Sequence, residues 1–203
     1  MTAHSLFAPF FPEWVCKLAL EKSAIIVSVD YRLLPTENGV ADVLEDLEDF
    51  WKWSRSSLPQ LIAEKAPGSS PDYSRTLLAG TSAGGYCCLQ LALSHPDEVA
   101  AVAVLYPLIE LYDRLNLEGP AEDEPTVLRF APEDMPSEEA GLAFIKESRK
   151  AVTTKAGFER TPFCVSIAQN GHWGEVLDPH NLRLDSFLPM ERMKAGAKLP
   201  SNV

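Results

Sequence analysis

The sequence predicts an α/β fold built around a parallel sheet. Three apolar runs, Ala24-Ile25-Ile26-Val27-Ser28-Val29, Leu77-Leu78-Ala79 and Val99 to Leu105, have the length and composition of strands covered on both faces. Segments of helical period lie between them, so the chain alternates strand, helix, strand, helix, strand. At Gly80-Thr81-Ser82-Ala83-Gly84 the second run passes directly into a helical pattern.

Phe10 to Leu20 reads as a helix, with Phe11, Val15, Leu18 and Ala19 on one face. The first apolar run follows and leaves through Asp30-Tyr31-Arg32-Leu33-Leu34-Pro35 as a loop. Asn38-Gly39 breaks the chain before a helix from Val40 to Arg55. Its apolar stripe is Val40, Val43, Leu44, Leu47 and Trp51, and its other face carries Asp42, Glu45, Asp46, Glu48 and Asp49. Those carboxylates read as a solvated face near a favourable helix N-terminus rather than as paired acid and base groups. Residues 56–72 read as a polar connection. After the second run, Cys88, Leu91 and Ala92 fall on one face of a helix beginning near Ala83. The third run ends at Tyr106-Pro107. Residues 110–137 are acidic and proline-rich, without clear periodicity. Ser137 caps a helix predicted to run through Val152. Phe163 to Ala168 fits either a strand or a helix.

Composition narrows the classes of function. With 203 residues, 46% of them hydrophobic, the chain suits one domain with a real core, or a fragment of a larger one. A net charge of −11 argues against nucleic-acid and anionic-membrane partners. No apolar run reaches the roughly 18 residues of a membrane-spanning helix. Met1 to Trp14 holds Leu6, Phe7, Phe10 and Phe11 but no basic n-region, so it is not read as a signal peptide. Cys16, Cys87, Cys88 and Cys164 lack metal-type spacing. They read as buried free thiols in a reducing compartment, and the expected location is cytoplasmic.

The Gly80-Thr81-Ser82-Ala83-Gly84 segment has the G-x-S-x-G order of a nucleophile elbow, in the strand–turn–helix context that such an elbow needs. A serine at the tip of a sharp turn projects its hydroxyl out of the sheet on strained backbone. Side chains at Gly80 and Gly84 are expected to collide with the neighbouring strand and helix. The Ala83 amide, next after the serine, is placed to donate to an oxyanion. The bland alternative is a glycine-rich turn with no chemistry. Gly80 to Gly85 lacks the G-x-G-x-x-G order of a dinucleotide-binding loop.

Three segments occur in the same order in one family. Val27-Ser28-Val29-Asp30-Tyr31-Arg32-Leu33-Leu34-Pro35, the acidic helix ending Phe50-Trp51-Lys52-Trp53, and Gly80-Thr81-Ser82-Ala83-Gly84-Gly85 resemble the hormone-sensitive-lipase-like esterases, the α/β-hydrolase fold-3 group, in a fungal form. The resemblance covers about residues 5–110 well. It weakens through 111–200, which is similar to the family's variable cap region. It implies an α/β-hydrolase fold with a doubly wound parallel sheet. Residues 1–110 would be a partial core with the elbow. Residues 111–203 would be a helical cap-like region and the start of the C-terminal core. It also implies hydrolysis of a small-molecule carboxylic ester without a cofactor. Ser82 would be the nucleophile, Ala83 N–H an oxyanion donor, and Gly80, Gly84 and Gly85 the structural elbow residues.

The resemblance also implies gaps. The family carries a His-Gly-Gly-Gly oxyanion segment before the region matched by Ser5 to Trp14. Here the chain starts Met1-Thr2-Ala3-His4, with no glycine before Gly39, and His4 reads as a terminal residue. In the family a catalytic acid and then a histidine follow a Leu-Pro pair like Leu199-Pro200, whereas Ser201-Asn202-Val203 ends this sequence. The histidines after Ser82 are His95, His172 and His180. His95 reads as a helix-terminal residue, and a rebuilt triad would need His180, or Asp178 with His172. The expectation is a chain truncated at both ends, lacking a strand between the Ala24–Val29 and Thr76–Gly80 strands. Its exposed sheet edges would favour a homo-oligomer, and turnover would be weak or absent. The alternative expectation is a non-catalytic pseudo-hydrolase that binds a small apolar ligand or a protein partner.

Overall fold

A computed structural model describes residues 13–154 and 157–201. The apolar residues Leu6 to Phe11, His4 and the terminal Asn202-Val203 lie outside the described residues. The first described helix, α1, spans Glu13–Glu21. Residues 24–30 follow it without helix or strand. The expected first strand is therefore absent. A strand exists only through a ladder with a neighbour, and the one ladder among the described residues joins two later segments. Ile25, Ile26 and Val27 stay 46%, 43% and 39% exposed, although they are all apolar.

Helix α2, Val40–Ser56, forms where its apolar stripe predicts, with Val40, Val43, Leu47 and Trp51 buried. A second helix, α3, spans Leu58–Lys65, inside the segment that reads as a polar connection. Pro59 sits in its first turn, where a missing N–H and a fixed φ favour helix. Leu58 and Ile62, four residues apart, supply the buried face.

Strand β1, Leu77–Thr81, leads into helix α4, Ala83–Ser94, and then strand β2, Ala101–Leu105. The two strands pair in parallel, from Leu77 opposite Ala101 to Thr81 opposite Leu105. Helix α4 packs against both strands. They are not covered on both faces as their composition suggests: Leu77 and Leu105 are 46% and 49% exposed. Helices α5 (Arg114–Glu118), α6 (Glu138–Ser148), α7 (Thr161–Gln169), α8 (Trp173–Leu177) and α9 (Pro189–Lys194) complete the described chain. The ambiguous Phe163–Ala168 segment is thus helix. Ser137 caps α6 as expected, its side chain accepting from Ala140 N–H. Among the described residues no helix is long and apolar enough to cross a membrane.

One core joins the early and late parts of the chain. Leu34, Val43, Trp51, Tyr86 and Leu91 pack with Leu111, Ile145, Ile167, Val176 and Phe187. Tyr86 is fully buried, and its hydroxyl donates to the Phe187 carbonyl at 3.0 Å. Gln90 donates to the same carbonyl at 3.2 Å, and Arg192 on α9 donates to the Gln90 amide oxygen. These bonds satisfy polar groups that burial would otherwise leave unpaired.

The acidic face of α2 is not simply solvated. Arg32 in the preceding loop lies 3.1 Å from Asp42, 2.6 Å from Glu45 and 2.8 Å from Asp46. The Arg32 N–H also donates to Asp46 at 2.7 Å. The Asp46 hydrogen bond is the main reason that the guanidinium pKa is raised. Asp42 is buried, which by itself favours its neutral form. Donors from Asn38 and Thr36 and the Arg32 charge outweigh that, so its pKa is lowered from 3.8. A lowered carboxyl pKa stabilises the fold above the ordinary value, and that stability is lost as pH falls through the folded value.

Asp42→Asn is therefore expected to be less stable than wild type at pH 7, with the gap narrowing as pH falls below 3.8. Chemical denaturation across that range measures it. Gly39 precedes α2 at φ 61, and a Cβ there would meet the Leu177 carbonyl and lie 2.6 Å from Pro179 Cδ. Gly39→Ala is expected to lower stability by about 2–4 kcal/mol, read from the denaturation midpoint.

Candidate active site

Ser82 occupies the turn between β1 and α4 at φ 52 and ψ −122, left-handed backbone that non-glycine residues rarely adopt. Its N–H donates to the Leu105 carbonyl at 3.0 Å, extending the ladder by one bond past the strand ends. Its carbonyl accepts the Tyr86 N–H at 3.1 Å, which starts the helix. The backbone is thus held from both sides while Ser82 itself is exposed.

The elbow glycines have distinct reasons. A Cβ on Gly80 would run into the Gly84 carbonyl and come within 2.9 Å of Cys88 Sγ, so strand and helix approach only without it. A Cβ on Gly85 would lie 3.0 Å from Pro107 Cβ, in the segment after β2. Gly84 corrects the expectation, because a Cβ there meets nothing within 4 Å among the described residues. What matters at position 84 is the backbone carbonyl against which Gly80 packs. Ala83 is the first residue of α4, so its N–H has no partner within the helix and lies at the positive end of the helix dipole. A developing negative oxygen beside Ser82 would meet that donor.

No histidine joins Ser82 among the described residues. His95 caps the C-terminal end of α4, stacks on Trp51 with ring centroids 4.5 Å apart, and places Nε2 3.0 Å from Glu48. His172 begins α8 with Nε2 2.8 Å from Glu138. His180 Nε2 lies 3.2 Å from Asn38 Oδ1. Asp178 is buried and accepts the Tyr112 hydroxyl at 3.0 Å and the N–H groups of Leu182 and Arg183 at 3.0 and 2.8 Å. These groups brace loops and helix ends, and no hydrogen bond connects any of them to Ser82 Oγ.

The thiols nearby do not compete as nucleophiles. Burial pushes both Cys87 and Cys88 up to about 12, so neither forms thiolate at neutral pH. All four cysteines are free. Among the described residues no group of three or more His, Cys, Asp or Glu side chains is placed to hold a metal ion.

Sequence reasoning missed Tyr106 as a feature of this site. It directly follows β2, at φ 40, and is 75% exposed. The only signal in the sequence is Pro107 after it. A separate apolar groove of about 410 Å³ lies between residues 25–28 and the end of α2 with α3, lined by Ile25, Ile26, Trp53, Leu58 and Ile62. Ser82 does not line it.

Comparison with known proteins bears on the fold. A family model described as alpha/beta hydrolase fold matches residues 3–139. A protein of a Phoma species named "Probable carboxylesterase M8" is 36% identical over 96% of this chain and 60% of its own length. "Probable carboxylesterase clz11" of Cochliobolus lunatus is 34% identical over 81% of this chain and 74% of its own. The carboxylesterase/phospholipase LipF of Mycobacterium tuberculosis is 35% identical over 50% of this chain, but over 23% of its own length. The chain therefore spans about three fifths of the first relative and three quarters of the second. No solved structure matches. With a parallel β1–α4–β2 unit, a strained serine at its turn and a family match across two thirds of its length, the chain belongs to the α/β-hydrolase fold family.

Proposed function

We propose that this chain carries the nucleophile of a carboxylic-ester hydrolase, and that the nucleophile is Ser82. The observation that carries the reading is the Ser82 backbone, held at φ 52 between the Leu105 carbonyl and the first turn of α4. Strained backbone at an exposed serine on a strand-to-helix turn fits a hydroxyl presented for reaction. Ser82 Oγ would attack the acyl carbon of a small-molecule ester, and the Ala83 N–H would hold the oxygen that becomes negative. The acyl group would pass to Oγ while the serine proton goes to the departing alcohol, and water would then cleave the acyl-serine, returning a proton to Oγ and releasing the acid. Carboxylesterase names among the relatives support this class of reaction. A cytoplasmic location accords with four free thiols.

A second reading has its own support. Among the described residues neither a histidine nor a carboxylate bonds to Ser82, and an apolar groove lies elsewhere. Those facts favour a pseudo-hydrolase that binds an apolar ligand without turning it over.

Hydrolysis of p-nitrophenyl butyrate by the purified chain, beside Ser82→Ala, separates the two. The hydrolase reading expects weak turnover above the buffer rate that falls to background in Ser82→Ala, because acyl transfer then lacks its nucleophile. Equal rates from both folded proteins would support the non-catalytic reading.

A further inference from the structure

Two strained residues sit side by side at one end of the β1–β2 pair. Thr81 and Leu105 are partners in the register, so Ser82 and Tyr106 are the next residues on neighbouring strands. Strands in a sheet lie about 4.8 Å apart, so these two backbones leave the ladder as neighbours. The Ser82 N–H to Leu105 carbonyl bond fixes the one beside the other. Tyr106 holds φ 40, unusual for a bulky aromatic residue, and exposes 75% of its surface. Pro107 packs on Gly85 in the first turn of α4, so the chain is pinned on both sides of Tyr106. A large ring kept out of the core on strained, pinned backbone suits a surface built to be covered by something else.

The chemistry of that occupant follows from charge. No charged residue occurs from Thr76 to Ser94 or from Val99 to Ile109, in a chain of net charge −11. Leu105 and Ile109 are also exposed, at 49% and 39%. The two segments that meet beside Ser82 therefore bring no charge to it, and they leave apolar side chains exposed. We infer that Tyr106 is the specificity-determining residue of the Ser82 site, its ring forming an apolar wall that favours uncharged esters with a longer acyl chain. This rests on Ser82 being the nucleophile, and it adds which esters are preferred and which side chain selects them. Burial of several extra methylenes against the ring would raise kcat/KM for a long acyl chain over a short one.

The test compares p-nitrophenyl hexanoate with p-nitrophenyl acetate, using wild type, Tyr106→Gly and Tyr106→Phe. Glycine suits the positive φ, so the truncated variant is not expected to lose its fold, which circular dichroism checks. The hexanoate-to-acetate ratio of kcat/KM is expected to fall about tenfold in Tyr106→Gly and to survive in Tyr106→Phe. A ratio unchanged in Tyr106→Gly would overturn the inference. A fall of similar size in Tyr106→Phe would also overturn it, because an apolar wall needs the ring and not the hydroxyl. Should wild type show no Ser82-dependent turnover, the nucleophile reading fails. The wall is then decided by binding of N-phenylhexanamide, followed by saturation-transfer NMR. Binding weakened about tenfold in Tyr106→Gly and kept in Tyr106→Phe supports it. Equal binding, or none to wild type, overturns it.

Discussion

The close approach of β1 and α4 at Gly80 is the constraint on which the rest of the structure depends. With no Cβ at residue 80, the Gly84 carbonyl and Cys88 side chain settle against the strand end. The turn between them is then too short for ordinary backbone, and Ser82 takes φ 52. Holding that conformation costs on the order of 1–3 kcal/mol. Burial of Tyr86, Leu91 and Ala92 on the same helix offsets it, at about 1.5–3 kcal/mol for each large apolar side chain. The exposed serine is thus sustained by the buried face of α4.

That buried face also ties distant segments together. Tyr86 and Gln90 both donate to the Phe187 carbonyl, about a hundred residues later in the chain. Leu34, Leu111, Ile145 and Val176 join the same core. On the opposite side of α2, Asp42, Glu45 and Asp46 use the Arg32 charge to hold the loop that leads into the helix. His95 and Glu48 do the same for the end of α4. Charges that could be taken for acid and base chemistry therefore position the elements around the elbow. Most such pairs are partly exposed and contribute about 1 kcal/mol or less each. Their effect is on register more than on stability.

Local patterns are legible where one segment carries its own signal. The stripe from Val40 to Trp51 marks α2, Ser137 marks the start of α6, and the elbow glycines mark the β1–α4 junction. Helix α3 is hidden because it is short and lies in a segment that is polar as a whole, although its Pro59 in the first turn favours helix. Residues 24–29 mislead for a different reason. Their β-branched, apolar composition describes a strand that has neighbours, and pairing is a property of the ladder and not of the segment. The ambiguous 163–168 run is helix with Cys164 to Ala168 all buried, so no one-sided helical period marks it in the sequence.

By itself the sequence determined the type of unit and which serine stands at its turn. Glycine spacing and hydrophobic period act over a few residues, so they suffice to put Gly80, Ser82 and Gly85 on a strand–turn–helix junction. Only the tertiary structure decided what surrounds Ser82. It placed His95 against Trp51 and Glu48, His172 against Glu138 and His180 against Asn38, and it set Tyr106 beside the serine through the parallel register. Those partners come from segments far apart in the chain. Their meeting depends on the packing of α4 and the pairing of β1 with β2, which no local pattern encodes.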